Sequence, residues 1–450
     1  MYLNGEDSFK SAPERIQMDR LAKPSAVAEE GWIYWLDLFI EGGILLFILL
    51  FPIKSFIVPT STISILKWMA LYIPLMLWLL KMLVRRDFSL VRTPIDRPLF
   101  LYAVVVVASV LYSIDRLETV SGIRGSFIKA AVLYLVILNN FQTIQKTRRL
   151  AVAFAASFLI TVGMGFYNYQ LGEYSFAGGI TAFANEHHNI MGKILGGFFP
   201  FLLVTFSMAK KPIWKGVTFF LIIVGLFAIF MTLSRATWAG AVVAFFIWGM
   251  HQSRKLTLSA LALFLFSLFT FGPDPVAERF ALVKVQADSM NGRTPIWEVA
   301  IKQIKERPLL GYGYGLNIFT KVYEEGREHP KEEEPTISHE HNLFLSLLIQ
   351  TGLVGTLLFL WIFIGALVLI VRAIYSMAAG WDRDILIVLL SGMVGEYFVH
   401  AMLDRNNVGN WALPLWAMIA IAMAILYRTG GFSSKTSPSQ VALHDLPEMK

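Results

Sequence analysis

The 450-residue chain contains no cysteine, which excludes disulfide bonds, thiol nucleophiles and thiolate metal ligands. Charged residues are also scarce, at 16% of the chain compared with about 25% in typical soluble domains. Hydrophobic residues make up 56%. These proportions exclude an ordinary soluble protein and predict a polytopic membrane protein. The net charge of +7 does not require a nucleic acid, since Lys and Arg set the orientation of membrane proteins, and we expect no nucleic-acid partner.

The N-terminal residues do not have the pattern of a signal peptide. The first 31 residues lack the apolar core that a signal peptide needs, so we expect residues 1–31 to form a cytoplasmic N-terminal tail. The chain also lacks a tandem repeat, a low-complexity run and a second soluble domain. The remaining residues are therefore expected to form one membrane domain with its connecting loops.

Apolar segments long enough to cross a membrane recur along the chain, given that about 20 residues span the hydrocarbon core. Their centres lie near residues 45, 73, 105, 132, 159, 200, 224, 244, 264, 357, 393 and 419. The sequence thus predicts an all-α fold with about 12 transmembrane helices. We place nine of them in residues 32–272 and three in residues 342–428. Residues 273–341 form one large loop, and residues 429–450 form a C-terminal tail.

Basic residues concentrate in alternate connecting segments: the N-terminal tail, residues 81–97, 141–149, 209–215, 250–255 and 372–384, and the C-terminus. The positive-inside rule places these segments and both termini in the cytoplasm. The large loop then lies outside the cytoplasm. Within it, "TPIWEVAIKQIKERP" predicts an amphipathic helix, because Trp297, Ala300, Ile301 and Ile304 recur at helical spacing before Pro308 ends the helix.

Two arginines on the predicted extracytoplasmic face are candidates for binding phosphate. Arg235 lies in a very short turn, "FMTLSRATWAG", where its guanidinium could bind a phosphate bidentately without a metal, or contact lipid headgroups. Arg293, in "MNGRTPIW", stands just before the amphipathic helix. The helix N-terminus and this guanidinium could bind one anion together, although a solvated loop charge is the simpler interpretation.

A third polar group, "FANEHHNIMGK", precedes an apolar run and contains His187, His188, Asn189 and Lys193. A lysine within a span is costly in lipid, so Lys193 should face a polar cavity or an anion. The alternative is an interfacial helix cap from which Lys193 extends to the membrane surface.

The fourth group is "PTISHEHNLFLSLLIQTG", in which His339 and His341 flank Glu340. In extended backbone the two imidazoles would point the same way and could chelate a metal. The apolar run from Leu343 instead predicts a helix that begins around His341. A helix N-terminus disfavours a positive charge, so a histidine there stays neutral and able to accept a proton. We therefore favour a catalytic base and expect no metal.

Glu396, His400 and Asp404 in "EYFVHAMLDRNN" are spaced to share one face of a helix. They could line an acceptor pocket, or pair with Lys193 or Arg405. The run "GYGYG", which begins at Gly311, lacks the strand and helix that flank a phosphate-binding loop and is interpreted as a turn.

Residues 291–355 resemble the signature region of the O-antigen ligase and O-antigen polymerase superfamily, through "GRTPIWEVAIKQIKERPLLGYGYGLNIF" and "HNLFLSLLIQTGLVG". "SRATWAG" and "NEHHNIMG" stand where that superfamily has its upstream motifs. The resemblance implies a GT-C-type fold in the bacterial inner membrane, with the active site facing the periplasm. It also implies an undecaprenyl-pyrophosphate-linked O-antigen as donor, lipid A–core as acceptor and no cofactor, with membrane lipids as the remaining partners.

The resemblance also implies roles for individual residues. Arg235 and Arg293 would hold the pyrophosphate, and His341 would act as the catalytic base. His339 lies one step outside the motif, and we expect it to act beside His341. From the polar groups described above, we also expect Lys193 to contact the pyrophosphate, and the donor or acceptor pocket to include the residues His187, His188, Asn189, Asn342, Glu396 and His400. The histidine pair before Asn189 departs from the superfamily pattern, which has a small residue or proline there.

Three other functions remain open at this point. An O-antigen polymerase and a protein O-oligosaccharyltransferase would use the same donor with a different acceptor. A glycolipid flippase or secondary transporter would place its polar residues near the membrane midplane. The clustering of polar residues on one face disfavours the transporter, whereas Glu396 and His400, which lie deeper, favour it.

Overall fold

The structure, a computed structural model, describes residues 24–53, 60–172, 180–181, 188–255, 257–259, 262, 293–326, 337, 339–405 and 409–432. The extended regular elements in these ranges are all helices, which confirms the predicted all-α class. They are α1 (Pro24–Leu50), α2 (Thr60–Arg85), α3 (Asp96–Tyr112), α4 (Arg116–Asn140), α5 (Ile144–Gln170), α6 (His188–Met208), α7 (Pro212–Met231), α8 (Arg235–Gln252), α9 (Thr294–Glu306), α10 (Ile318–Gly326), α11 (Leu343–Ser376), α12 (Trp381–Met402) and α13 (Leu413–Arg428).

Eight of the described helices are long and apolar enough to cross a membrane, so the chain is a multi-pass membrane protein. Helix α13 is apolar but shorter. Each predicted span centre falls inside a helix, except the one near residue 264, which lies outside the described residues. Helix α1 begins at Pro24, before the predicted end of the N-terminal tail. The total of 12 spans therefore stays a prediction.

Helices α6, α12 and α13 form the buried centre of the bundle. Every side chain of α13 from Leu413 to Leu426 is buried, and small alanines let its neighbours approach closely. Helices α8 and α12 cross at two glycines: a Cβ added to Gly240 would lie 2.7 Å from the Gly395 carbonyl oxygen. These close contacts hold the end of α12 against the beginning of α8.

The two ends of the bundle differ in their side chains. At one end, Arg428 donates a hydrogen bond to the Gln142 carbonyl and pairs with Asp382. We call this the Arg428 end. At the other, the loop after α12 places Asp404 beside the segment that leads into α11. We call this the Asp404 end, and α13 runs from it to the Arg428 end.

The "GYGYG" run is part of the bundle's packing. Helix α11 is kinked at Gly352, where φ is 62°, and the amides of Tyr312 and Gly313 donate to the carbonyls of Ile349 and Gln350, at 2.7 and 3.1 Å. Gly311 has φ of 70° and approaches this kink too closely to carry a side chain. These two amides thus bond to α11, and the run forms a structural turn.

Helix α9 is the amphipathic helix that the sequence predicts, but its buried face differs in detail. Ile296, Ala300 and Gln303 are buried, whereas Ile301 is 45% exposed. The face that packs against α10 and α11 follows the spacing i, i+4, i+7, which leaves Ile301 on the outer side.

Candidate functional site

Asp404 lies at the centre of the candidate site, directly after α12. One carboxylate oxygen, Oδ1, is 3.4 Å from His339 Nε2 and 3.5 Å from His341 Nδ1. The other oxygen, Oδ2, is 3.0 Å from Lys193 Nζ. A single buried carboxylate therefore joins α6, the end of α12 and the segment that precedes α11.

The charge of Asp404 is favoured by these neighbours. Burial by itself raises the pKa of the Asp404 carboxyl, but the Lys193 ammonium and the two histidines outweigh it and hold this pKa well below its usual range. Asp404 is therefore a carboxylate at neutral pH, available to orient a neighbouring imidazole and to stabilise its protonated form.

His341 precedes α11 in an uncommon backbone conformation, with φ of 51°. The helix starts at Leu343 with Asn342 as its N-cap, so the expectation that His341 lies in the first turn was wrong. The Asn342 side chain accepts hydrogen bonds from the amides of Phe344 and Leu345, and a cap of this kind fixes where a helix starts. The left-handed turn at His341 directs its imidazole to Asp404.

Asn342 also joins two helices. Its Nδ2 donates to the Met402 carbonyl at 3.0 Å, so the start of α11 is fixed to the end of α12. The structure therefore shows Asn342 as a cap and a tether beside the site.

His339 stacks beside His341, with ring centroids 3.8 Å apart. Burial is the main cause that lowers the pKa of His339 to about 4, while the hydrogen bond with Asp404 opposes that effect. His339 is therefore neutral at physiological pH.

Contacts from three parts of the chain hold the histidine segment in place. Trp297 Nε1, on α9, donates to the Glu340 carbonyl at 2.9 Å. The Glu340 side chain is fully buried and lies 3.7 Å from Arg405 Nη1, which also donates to the Leu316 carbonyl. Burial raises the pKa of Glu340. Helix α9 thus supports the segment, through Trp297, from outside the bundle.

Arg235 and Arg293 both stand at helix N-termini. Arg235 is exposed and is the first residue of α8, so it lies at a helix start and not in the turn that the sequence predicts. Arg293 directly precedes α9. Burial is the main cause that lowers the pKa of Arg293. The nearby charge of Asp404 raises this pKa, and the charge of Arg235 lowers it. Arg293 therefore lies close enough to both Asp404 and Arg235 for their charges to interact.

Glu396 and His400 form a separate buried pair deeper in the bundle. His400 Nδ1 is 2.8 Å from Glu396 Oε2, and a Cβ on Gly196 would lie 2.0 Å from that oxygen. The single helical stripe predicted for these residues and Asp404 was wrong, because α12 changes to a π-helix at Gly395–Val399 and then to a 3₁₀ turn that ends at Met402. This change of winding directs Asp404 to the histidines.

The remaining predicted residues lie at the start of α6. His187 falls outside the described residues. His188 begins the helix, and Asn189 is half-buried next to it. Lys193, one turn further, is buried and faces Asp404, with its Nζ 5.8 Å from the centre of the Trp411 ring.

His339, His341 and Asp404 could together hold a metal ion, since each offers one ligand atom and these atoms lie within 4.8 Å of one another. Two imidazoles and one carboxylate are a donor set that zinc accepts. The charges are less favourable, because Lys193 and Arg405 both lie next to this cluster. A histidine next to a carboxylate, as His341 is next to Asp404, is also an arrangement that can accept a proton.

The sequence offered two alternatives for Asp404, an acceptor pocket or a pair with Lys193 or Arg405, and the structure shows the pair with Lys193. The sequence did not predict the contacts of Asp404 with the two histidines. The sequence does indicate the pairing of Asp404, because a carboxylate at the end of an apolar span needs a partner and Lys193 is an available cation. Nothing in the local sequence indicates that the Glu340 side chain is buried.

Together these features define a multi-pass membrane protein with two histidines gathered around a buried carboxylate at one end of its helical bundle. A family model described as O-antigen ligase matches residues 219–360, which include Arg235, α9 and the histidine segment. This match and the curated relatives support the resemblance drawn from the motifs, and the chain is similar to the O-antigen ligase superfamily.

Three relatives show how far the similarity extends. The exopolysaccharide production protein ExoQ of Rhizobium meliloti is 24% identical over 381 residues, which cover 78% of this chain and 81% of ExoQ. The O-antigen ligase of Pseudomonas aeruginosa is 26% identical over 55% of this chain and 56% of its own length. The O-antigen ligase of Salmonella typhimurium is 25% identical over 56% of this chain and 64% of its own.

Proposed function

We propose that the chain is an O-antigen ligase that transfers a glycan from undecaprenyl pyrophosphate to a sugar hydroxyl of lipid A–core. The reaction would take place on the periplasmic face of a bacterial inner membrane, in a GT-C-type fold with about 12 spans. The observation that carries the proposal is the contact of His341 with the buried Asp404 carboxylate, at the same end of the bundle as Arg235 and Arg293.

His341 is the proposed general base. With Nδ1 of His341 turned to Asp404, the other ring nitrogen, Nε2, is left to accept the proton of the acceptor hydroxyl. The imidazolium that forms is stabilised by the Asp404 carboxylate. His339 stays neutral because burial lowers its pKa, so it adds no positive charge next to the base.

Arg235 and Arg293 are the proposed pyrophosphate ligands. The hydroxyl oxygen attacks the anomeric carbon and forms the new glycosidic bond, while the bond from that carbon to the pyrophosphate oxygen breaks. The electron pair leaves with the pyrophosphate, and two guanidiniums near the membrane surface can stabilise that negative charge. A single displacement from the opposite face inverts the anomeric centre.

Lys193 takes part indirectly in this account. Its ammonium lies against Asp404, so its role in the proposed mechanism is to keep that carboxylate charged beside the base. A direct contact of Lys193 with the pyrophosphate, as expected from the sequence, would require the donor to reach this buried position.

An exopolysaccharide or O-antigen polymerase is the second candidate. The match to ExoQ extends over 81% of that relative, whereas the two ligases are matched over 56% and 64% of their lengths. A polymerase would use the same base and the same arginines, with a second lipid-linked glycan as the acceptor. The proton transfer and the departing pyrophosphate would be unchanged.

The acceptor is tested with purified full-length protein in vesicles that contain the lipid-linked glycan donor. Lipid A–core, additional lipid-linked glycan and an unfolded or folded protein substrate are supplied in separate reactions, with His341→Ala as the inactive control. Ligation to lipid A–core alone supports the first proposal, and chain extension on the lipid carrier alone supports the polymerase. Movement of the donor across the vesicle without any conjugate contradicts both.

A further inference from the structure

A large cavity opens between α3 and α4 at the Arg428 end, on the other side of the bundle from Asp404. Its volume is about 1080 Å³. The mouth is formed by residues 88–93 and Arg97, the walls by α3 and α4, and the floor includes Trp416 of α13. The residues of the candidate functional site take no part in it.

The depth and lining of the cavity suit a lipid chain. The cavity extends along α4 from Asn139 to Phe127, which at 1.5 Å per residue is about 18 Å. One leaflet of a bilayer contributes about 15 Å of hydrocarbon. Most side chains along this path are apolar, including Leu99, Phe100 and Leu138. An acyl chain from the leaflet at the Arg428 end would therefore fit along α4.

The mouth of the cavity is positively charged. Arg92 and Arg97 are both exposed, and neither forms an ion pair with another residue in the described part of the chain. The carboxylate between them, Asp96, instead accepts a hydrogen bond from the Thr93 amide at 2.8 Å and another from the Thr93 hydroxyl. Two guanidiniums are thus available to bind an anion at the level of the lipid headgroups.

Tyr134 places a polar atom on the wall of this cavity. Its side chain is 2% exposed, and its hydroxyl lies toward Thr93 without a hydrogen bond of ordinary geometry in the described residues. Buried hydroxyls normally have a partner. Tyr134 lies five residues along α4 from Asn139, about 7 Å below the mouth. In a phospholipid bound with its phosphate at the mouth, the ester oxygens would lie at about this depth.

We propose that this cavity binds one anionic phospholipid. Its phosphate contacts Arg92 and Arg97, an ester oxygen accepts a hydrogen bond from the Tyr134 hydroxyl, and one acyl chain extends along α4 to Phe127. Basic pockets between transmembrane helices bind anionic headgroups in this way. A zwitterionic lipid could supply the chain but has no net negative charge, so the site prefers phosphatidylglycerol to phosphatidylcholine.

Native mass spectrometry of the full-length protein tests the site. The protein in detergent is incubated with equal amounts of phosphatidylglycerol and phosphatidylcholine and then transferred to the gas phase. The number of molecules of each lipid bound per protein is read from the mass spectrum. Each basic residue near an anionic headgroup contributes a factor of about five in affinity. The double variant R92Q/R97Q should therefore bind phosphatidylglycerol about 25-fold more weakly than the wild type.

Arg85 and Arg86 provide the matched control, because they are exposed in the same connecting segment but do not line the cavity. R85Q/R86Q should retain phosphatidylglycerol at the wild-type level. Equal losses in the two double variants would overturn the proposal, since they would indicate general attraction to a basic loop.

A second variant tests the acyl-chain path. Ala131→Phe fills the cavity from the α4 wall and should abolish binding of both phosphatidylglycerol and phosphatidylcholine. If this variant fails to fold, Ala103→Phe fills the cavity from α3 and should have the same effect. Unchanged lipid binding in a folded variant of this kind would overturn the proposal.

Discussion

Lys193 on α6 and Asp404 after α12 form an ion pair of 3.0 Å in which both side chains are almost fully buried. The two residues come from distant parts of the chain, and their pairing gives the proposed base a charged carboxylate. A buried pair of this kind costs desolvation free energy, so its presence at the site is best explained by function.

Replacing Lys193 should destabilise the protein. Lys193→Met leaves the Asp404 carboxylate buried without its cation, and breaking a buried pair costs about 3–5 kcal/mol. Thermal unfolding in detergent should show a clear fall in Tm, whereas Lys210→Met, at an exposed lysine beyond the other end of α6, should melt with the wild type. A Lys193→Met protein that melts with the wild type would show that the pair does not matter for stability.

Asp404→Asn should reduce glycan transfer about 100-fold or more, because the amide cannot stabilise an imidazolium at His341. A merely structural role would lower the amount of folded protein without changing the pH dependence. We therefore expect the acid limb of the pH–rate profile of the folded variant to move to lower pH. An unchanged profile with normal turnover would remove Asp404 from the mechanism.

Arg235→Lys tests the geometry of phosphate binding. Lysine retains the charge but cannot form two parallel hydrogen bonds, so turnover should fall by about tenfold or more. Arg116→Lys is the control, since Arg116 is also exposed and also stands at a helix start. Equal activities of the two variants would mean that Arg235 supplies charge alone or lies outside the site.

His339 should make stability depend on pH. Its pKa in the folded protein is about 4, below the usual 6.5, so the unfolded chain binds more protons between these values. The stabilising contribution of neutral His339 is complete above pH 6.5 and is lost as the pH falls toward 4. Glu340, whose pKa is raised by burial, acts in the opposite direction.

The comparison that isolates His339 is the difference in Tm between wild type and His339→Gln, measured from pH 7.5 to pH 4.5. The wild type should lose a few degrees more than the variant over this range. A pH-independent difference would show that His339 does not resist protonation in the folded state.

The helices were largely predictable from the sequence because lipid imposes a strong rule: a spanning segment must be apolar and must satisfy its backbone by helical hydrogen bonds. The same rule made Lys193 and Arg235 conspicuous, since polar side chains at membrane depth are costly. Helix α9 was predicted from its spacing, although its packed face could be assigned only after its neighbours were known.

The centre of the site was not predictable in the same way. Asp404 reaches the histidines because α12 changes its winding at Gly395–Val399, and that change depends on the close packing of Gly395 against Gly240. His341 adopts a left-handed conformation because Asn342, and not His341, caps α11. Both features arise from contacts between distant segments, which local spacing does not encode.

Glycan transfer in the presence of excess EDTA, by wild type and by His341→Gln, tests the central claim most directly. The purified protein is supplied with the lipid-linked donor and the acceptor identified beforehand, and product is measured over time. We predict full activity of the wild type in EDTA and a loss of about 100-fold or more in His341→Gln, with normal folding. Wild-type activity that disappears in EDTA and returns with zinc would contradict the account, because His339, His341 and Asp404 would then serve as metal ligands.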